Sequence, residues 1–321
     1  MPYPSVLRRH GARQAALLGV LGMMASPGWA QGPTPETGNT IFPGGGLVSY
    51  AAEFVSRKAP AGVAASSIPP TILPTLAIAQ PLLLSWGVRR DLELTAMTSI
   101  DTNRLNLSRS TPETRAGGSG LGDSLVLLKY RFLRRDSERG TTQASVMVGP
   151  KLPTGRTDLR DPAGVLLPVT LQPGTGSVDL FANFSGTYTG LFHVEKLVAD
   201  GTVDYLLRTQ GAEQTQLGNS LYLRLYLPYR PYESHSVGKE WWIGPELAWD
   251  HEEYSWIGGE RQPNSGGEVL SAGAATYFSP SPGLELWFGI DFPVAQHWNG
   301  TQDTVKRHIS IGISKQFEFH H

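Results

Sequence analysis

From Val305 to Phe319, one set of alternate positions reads Val305, Arg307, Ile309, Ile311, Ile313, Lys315, Phe317 and Phe319. The other set reads Lys306, His308, Ser310, Gly312, Ser314, Gln316 and Glu318. Successive side chains of a strand point to opposite faces, so this segment presents one apolar and one polar face. It is far longer than the five or six residues usual for a globular strand, and it ends in alternating aromatics. Those features suit the closing strand of an outer-membrane barrel, with its apolar face to lipid and its polar face to a wet lumen. An edge strand of a secreted sandwich is the competing reading.

The same period recurs along the chain. About twelve strands are predicted, at roughly 47–57, 74–86, 91–101, 121–134, 141–152, 177–189, 198–208, 218–229, 240–252, 268–279, 283–293 and 305–319. Leu221, Leu223, Leu225 and Leu227 oppose Tyr222, Arg224 and Tyr226; Leu284, Leu286, Phe288, Ile290 and Phe292 oppose Glu285, Trp287, Gly289 and Asp291. Val126, Leu128, Tyr130 and Phe132 oppose Asp123, Lys129 and Arg131. A helical period of three to four residues does not recur over useful lengths. The stretch 189–208 is the least clearly patterned, with His193–Lys196 open to turn, short helix or strand.

Connection lengths carry a second argument. Those at 58–73, 102–120, 153–176, 253–267 and 294–304 are long, and those at 87–90, 135–140 and 280–282 are short. Outer-membrane barrels have long extracellular loops and short periplasmic turns, and an even strand count leaves both termini in the periplasm. The long-first order fits. Trp86, Trp241, Trp242, Trp249, Trp287, Tyr130 and Phe319 fall near predicted strand ends, where amphipathic rings favour the membrane–water boundary.

Composition narrows the reading. Charge is nearly balanced (27 Lys and Arg against 28 Asp and Glu), which favours neither nucleic acid nor an acidic partner. There is no cysteine, which excludes a disulfide framework and thiolate chemistry. Residues 1–30 read as a cleaved secretory signal: Arg8, Arg9 and Arg13, then an apolar Ala15–Ala25, then Pro27 and Gly28–Ala30. The apolar run is about half the roughly 20 residues a spanning helix needs. Residues 31–45, rich in Gly, Pro and Thr, read as a flexible periplasmic lead-in, and 46–319 as the barrel.

Three stretches carry a family resemblance: Gly120–Phe132 (GLGDSLVLLKYRF), Lys151–Gly155 (KLPTG) followed by Arg156–Asp158, and Thr34–Gly38 with Pro43–Gly46. Together they resemble the outer-membrane transporter family named for the meta-pathway of phenol degradation. The resemblance implies a barrel passing organic compounds. It brings no binding residues to carry over, and the chain departs from the pattern at His320–His321 and across 189–208. Read physically, Gly120 and Gly122 permit a tight entry from loop to strand, and Pro153–Gly155 ends the next strand as a turn.

The chemistry-bearing residues do not assemble into a catalytic pattern. No Gly-x-Ser-x-Gly elbow is present, and His251–Glu253 lacks the second His of a zinc-protease motif. Glu285 and Asp291, six residues apart on one strand, are separated by roughly 20 Å at the usual rise. No enzyme activity, cofactor or metal is therefore expected. The lumen candidates are Asp123, Lys129, Arg131, Lys151, Asp179, Arg224, Glu246, Asp250, Glu285 and Asp291, with Arg224 and Glu246 expected to pair across neighbouring strands. A long loop, 153–176, with Pro162, Pro168, Pro173 and Val165–Leu167, suits a gate folded inward or a surface contact with lipopolysaccharide. The expected function is passage of small, hydrophobic or aromatic organic molecules through the outer membrane. The alternatives are a structural or adhesive barrel and, third, an outer-membrane enzyme. Expected partners are outer-membrane lipid and lipopolysaccharide, a small-molecule solute, and the barrel-assembly machinery acting on the C-terminal strand; nucleic acid is not expected.

Overall fold

A computed structural model describes residues 37–58, 71–106, 115–138, 140–234 and 238–318. The expected signal at 1–30, the first part of the lead-in and Phe319 lie outside the described residues.

Twelve strands form one antiparallel wall: β1 (Gly45–Lys58), β2 (Leu76–Arg89), β3 (Leu92–Asn106), β4 (Arg115–Leu121 continued by Ser124–Ser137), β5 (Gly140–Leu152) and β6 (Asp179–Thr189), followed by β7 (Val198–Leu207), β8 (Ser220–Tyr226 continued by Tyr229–Ser234), β9 (Lys239–Glu252), β10 (Gly267–Ser281), β11 (Leu284–Trp298) and β12 (Thr304–Glu318). Each strand pairs with the next, and β12 pairs with β1 from Glu318↔Gly45 to Thr304↔Lys58. The wall is therefore a closed barrel with no free edge, the form in which β-structure satisfies its backbone in lipid. No helix of the described residues is long and apolar enough to cross a membrane.

The alternation read from sequence sets the two faces. Val126, Leu128, Tyr130, Phe132, Leu223, Leu225, Leu286, Phe288, Phe292, Ile311 and Ile313 are exposed on the outer wall. Their strand neighbours Lys129, Tyr222, Arg224, Tyr226, Trp287, Asp291, Ser310 and Ser314 are buried inside. Val305 departs from the expected phase and is buried, because the β1–β12 register shifts between Ser56 and Arg57. An extra residue in one strand turns the next side chain to the other face. Trp287 also lies inside, and not in an outer aromatic girdle. Its ring covers Gly312 on the partner strand, where an added Cβ would come within 1.9 Å of the indole.

Several strands outrun their expected limits. β3 reaches Asn106 and β4 starts at Arg115, which shortens the loop expected at 102–120. β4 is interrupted at Gly122–Asp123 and β8 at Leu227–Pro228, where proline supplies no ladder donor. The stretch 189–208 resolves into a 3-10 turn at Leu191–His193 followed by β7. The connections at 59–75 and 153–178 are long and those at 90–91 and 282–283 short, as expected, whereas β11 reaches Trp298 and leaves only 299–303 of the long loop expected at 294–304; the rim that carries Gly45 and Glu318 is periplasmic. At the opposite rim, Thr215–Gln216, Trp256–Ile257 and Glu260–Arg261 form a small separate sheet.

Candidate functional site: the lumen and its two mouths

The lumen is amphipathic. An apolar cluster that includes Leu83, Met97, Leu125, Leu127, Met147 and Phe181 joins Tyr222, Tyr226, Tyr277 and Trp287 in its interior. Charges share the same space. Among the buried described residues, twelve are Asp or Glu and five are Lys or Arg. The lumen of mixed sign expected from sequence is thus dominated by acid.

Three charged groups occupy different places. At the extracellular end, Lys151 Nζ lies 2.5 Å from Asp123 Oδ2 and 3.0 Å from Asp179 Oδ2. It also donates to Thr175 Oγ1 at 2.6 Å and to the Ser177 carbonyl at 3.2 Å. Asp123 in turn accepts from the backbone N–H groups of Gly155 and Thr175, at 3.0 Å each. Gly155 and Gly174 lie so close that a Cβ on either would come within 2.6 Å of the other's backbone. Two of the three stretches that carried the family resemblance therefore meet in one knot. The Asp of GLGD and the Lys of KLPTG bind each other and clamp both ends of the loop that follows.

The middle group is drawn from β1, β8, β9, β11 and β12. Arg224 Nη2 lies 3.0 Å from Asp250 Oδ1. The expected Arg224–Glu246 pair is not formed. Arg224 stands opposite Ala248 in the register, with Tyr222 opposite Asp250 and Tyr226 opposite Glu246, so both acids are diagonal neighbours. The guanidinium turns to Asp250. Both carboxylate oxygens of Glu246, and both of Asp291, are buried with no hydrogen-bond partner among the described residues. Gly273 separates the two acids in the register, and a Cβ there would come within 2.1 Å of Asp291 Oδ1. His308 completes the group, 3.8 Å from Asp291 Oδ2 and 3.9 Å from Glu53 Oε2. Buried carboxylates without partners are costly in a sealed core and tolerable in a hydrated one.

Toward the periplasm, Glu93 stands opposite Lys129 in the β3–β4 register. Arg131 bridges Gln143 Oε1 at 3.1 Å and the Arg90 carbonyl. Glu285 is half-buried and accepts from Ser314 Oγ at 3.5 Å. Glu53, Glu93, Asp101 and Asp204 are inward charges missing from the sequence-derived set; the alternation in β1 and β3 was the available signal.

Both mouths are covered. The periplasmic one is crossed by Thr37–Gly44, the end of the segment read as a flexible lead-in. Ser185 Oγ donates to the Thr37 carbonyl at 3.0 Å, Gly38 N to Thr187 Oγ1 at 2.9 Å, and Ile41 N to Glu93 Oε2 at 2.9 Å. Gly38 passes so close to β5 that a Cβ would come within 2.6 Å of the Gln143 carbonyl oxygen. At the other mouth, Leu167 and Leu171 of the β5–β6 loop are buried with Ile72, Leu105 and Ala116. Gln172 ties this fold: its amide donates to the carbonyls of Leu159 and Leu167, and Asn103 Nδ2 donates to the Gln172 backbone carbonyl. Of the expected apolar centre, Leu167 turns inward while Val165 is exposed; Pro173 is buried. At the same rim, burial pushes the Asp303 carboxyl above its ordinary range, and Arg57, 3.5 Å away, offsets part of that.

No family model matches the chain, and no curated protein matches it. Among solved structures it is similar to the COG4313 outer membrane channel from Pseudomonas putida F1, with a TM-score of 0.57 and 13% identity over 86% of this chain and 97% of that one. The β domain of the Bordetella autotransporter BrkA gives 0.45 with 9% identity over 84% and 99% of the two chains. The TodX monoaromatic hydrocarbon channel (deltaS2 mutant) gives 0.44 with 9% identity over 87% and 91%. At these identities the likeness is one of fold. The closed twelve-stranded wall and its outward apolar band locate the chain in the bacterial outer membrane.

Proposed function

We propose that this barrel is a narrow channel for small organic molecules, hydrophobic or aromatic, and neutral or cationic in preference to anionic. The observation that carries this reading is the pair Glu246 and Asp291, buried mid-lumen with no hydrogen-bond partner among the described residues. A barrel filled only for stability gains by closing such positions with apolar side chains. Carboxylates left unpaired in the middle of the barrel fit a path that attracts positive charge. Tyr226, opposite Glu246 in the register, and Trp287, on the same strand as Asp291, bring aromatic side chains into the same interior. Twelve strands enclose less space than the sixteen of an aqueous porin, which supports a restricted path. The resemblance of Gly120–Phe132 and Lys151–Gly155 to the meta-pathway family supports aromatic compounds as the solutes.

The test is conductance of the purified protein in planar bilayers, with reversal potentials under a salt gradient and with aromatic amines and aromatic acids compared as solutes. Cation preference, with amines altering the current more than acids, is the expected result. Silence under all conditions, or preference for anions, refutes the reading. A structural barrel without throughput is the second reading, favoured by the covering of both mouths; silence that persists when the Thr37–Gly44 segment is removed would support it.

A further inference from the structure

We propose that the outer wall carries a binding site for the phosphate groups of lipopolysaccharide, built from Lys58, Arg104, Lys306 and Arg307. The inference is independent of what passes through the lumen.

Register places these cations together. Arg307 of β12 is opposite Ser56 of β1, Ser56 is opposite Leu76 of β2, and Leu76 is opposite Arg104 of β3. Paired residues share a face. Ser56 lies between Val55 and Arg57, both buried inside, so its row faces outward. Lys58 and Lys306 stand at the same end of β1 and β12, and all four cations are exposed. Arg104 and Arg307 are three strand spacings apart, roughly 14 Å, which is room for more than one phosphate. A groove of about 550 Å³ opens between them, lined by Ser56, Arg57, Thr75, Leu76, Lys306 and Arg307.

Height and charge select the occupant. The next outward row toward the periplasm is Ile309, Phe54 and Ile78, and below it come Ile311 and Ala52. The cations therefore cap the apolar band at its extracellular end, one step of the pleat above hydrocarbon. None of the four is in an ion pair with a carboxylate of the described residues, and the nearby Asp303 is already engaged by the buried Arg57. Unpaired cations at this depth meet the headgroups of the outer leaflet, and basic clusters beside a membrane bind anionic lipid. Arginine forks and lysine ammonium groups form charge-assisted hydrogen bonds with phosphate oxygens.

The test uses the whole barrel in detergent micelles and measures binding of lipopolysaccharide, of lipopolysaccharide stripped of its lipid A phosphates, and of inorganic phosphate. The substitutions are Lys58→Gln, Lys306→Gln and Arg307→Gln together, with Arg89→Gln and Lys315→Gln at the periplasmic end as the control. Intact lipopolysaccharide is expected to bind the wild type, weaken with added salt, and lose about tenfold or more in affinity in the triple variant, the scale of several charge-assisted contacts removed. The stripped lipid and inorganic phosphate should bind at least as weakly as the triple variant binds the intact lipid, and the control should match the wild type. Equal binding of intact and stripped lipid, or equal loss in the control, overturns the proposal. If the triple variant fails to fold, Arg307→Gln alone and the salt dependence of wild-type binding decide: no loss and no salt effect refute it.

Discussion

Replacing Lys151 with methionine removes the ammonium held between Asp123 and Asp179 while keeping most of the side-chain volume. The consequences can be worked out donor by donor. Asp179 keeps Ser177 Oγ at 3.0 Å and Thr209 N at 2.9 Å, and Asp123 keeps the Gly155 and Thr175 backbone donors at 3.0 Å each. Neither carboxylate is left without hydrogen bonds. What they lose is the charge that offset their mutual repulsion in a site where neither aspartate side chain is more than 4% exposed. Breaking one side of a buried ion pair costs about 3–5 kcal/mol, and the remaining donors bring the expected loss to the lower end, about 3 kcal/mol. Lys151→Met paired with Asp179→Asn removes one of the two stranded charges and should recover at least half of that loss, because Asp123 retains its backbone donors. Equilibrium unfolding in urea, with the barrel in lipid bilayers, measures the three variants against one another. The loop clamped at Gly155 and Thr175 should also become more sensitive to protease from the extracellular side in the single variant. Unfolding of Lys151→Met within about 0.5 kcal/mol of wild type, the size of an ordinary surface change, would refute the reasoning. So would a double variant no more stable than the single one.

Three further outcomes are expected. Gly38→Val should displace the segment at the periplasmic mouth, since its Cβ meets the β5 backbone, and should raise single-channel conductance in planar bilayers without altering the unfolding curve of the wall. Glu246→Gln together with Asp291→Asn should move the reversal potential toward that of an unselective pore, whereas Glu268→Gln, on the exposed end of β10, should leave it in place. Gly312→Ala places a methyl group against the Trp287 ring; overpacking of this kind costs about 1–3 kcal/mol, and a changed tryptophan emission spectrum should accompany the loss.

Much of the wall was legible in the chain because a barrel strand encodes its environment two residues at a time. Leu223 and Leu225 against Tyr222 and Arg224 needed no partner strand to assign. The mouths were less legible. Thr37–Gly44 has the composition of a free linker, and what holds it are donors and acceptors 50 to 150 positions away, such as Glu93 with Ile41 and Thr187 with Gly38. The partner of Arg224 turned on which of two diagonal acids the pleat brings closer, which the spacing of charges along β8 and β9 does not encode. The interior clamp at Lys151 was visible as a motif but not as a contact, because Asp123, Lys151 and Asp179 come from three strands and a 26-residue loop.

The pairing of β1 with β12 sets a condition on biogenesis. One margin of β1 has no lasting neighbour until β12 has been made, so a chain cut off near residue 300 is a ribbon with two raw margins instead of a slightly smaller cylinder. Closure of the wall comes at that seam, and the cell must shepherd the polypeptide until β1 and β12 meet.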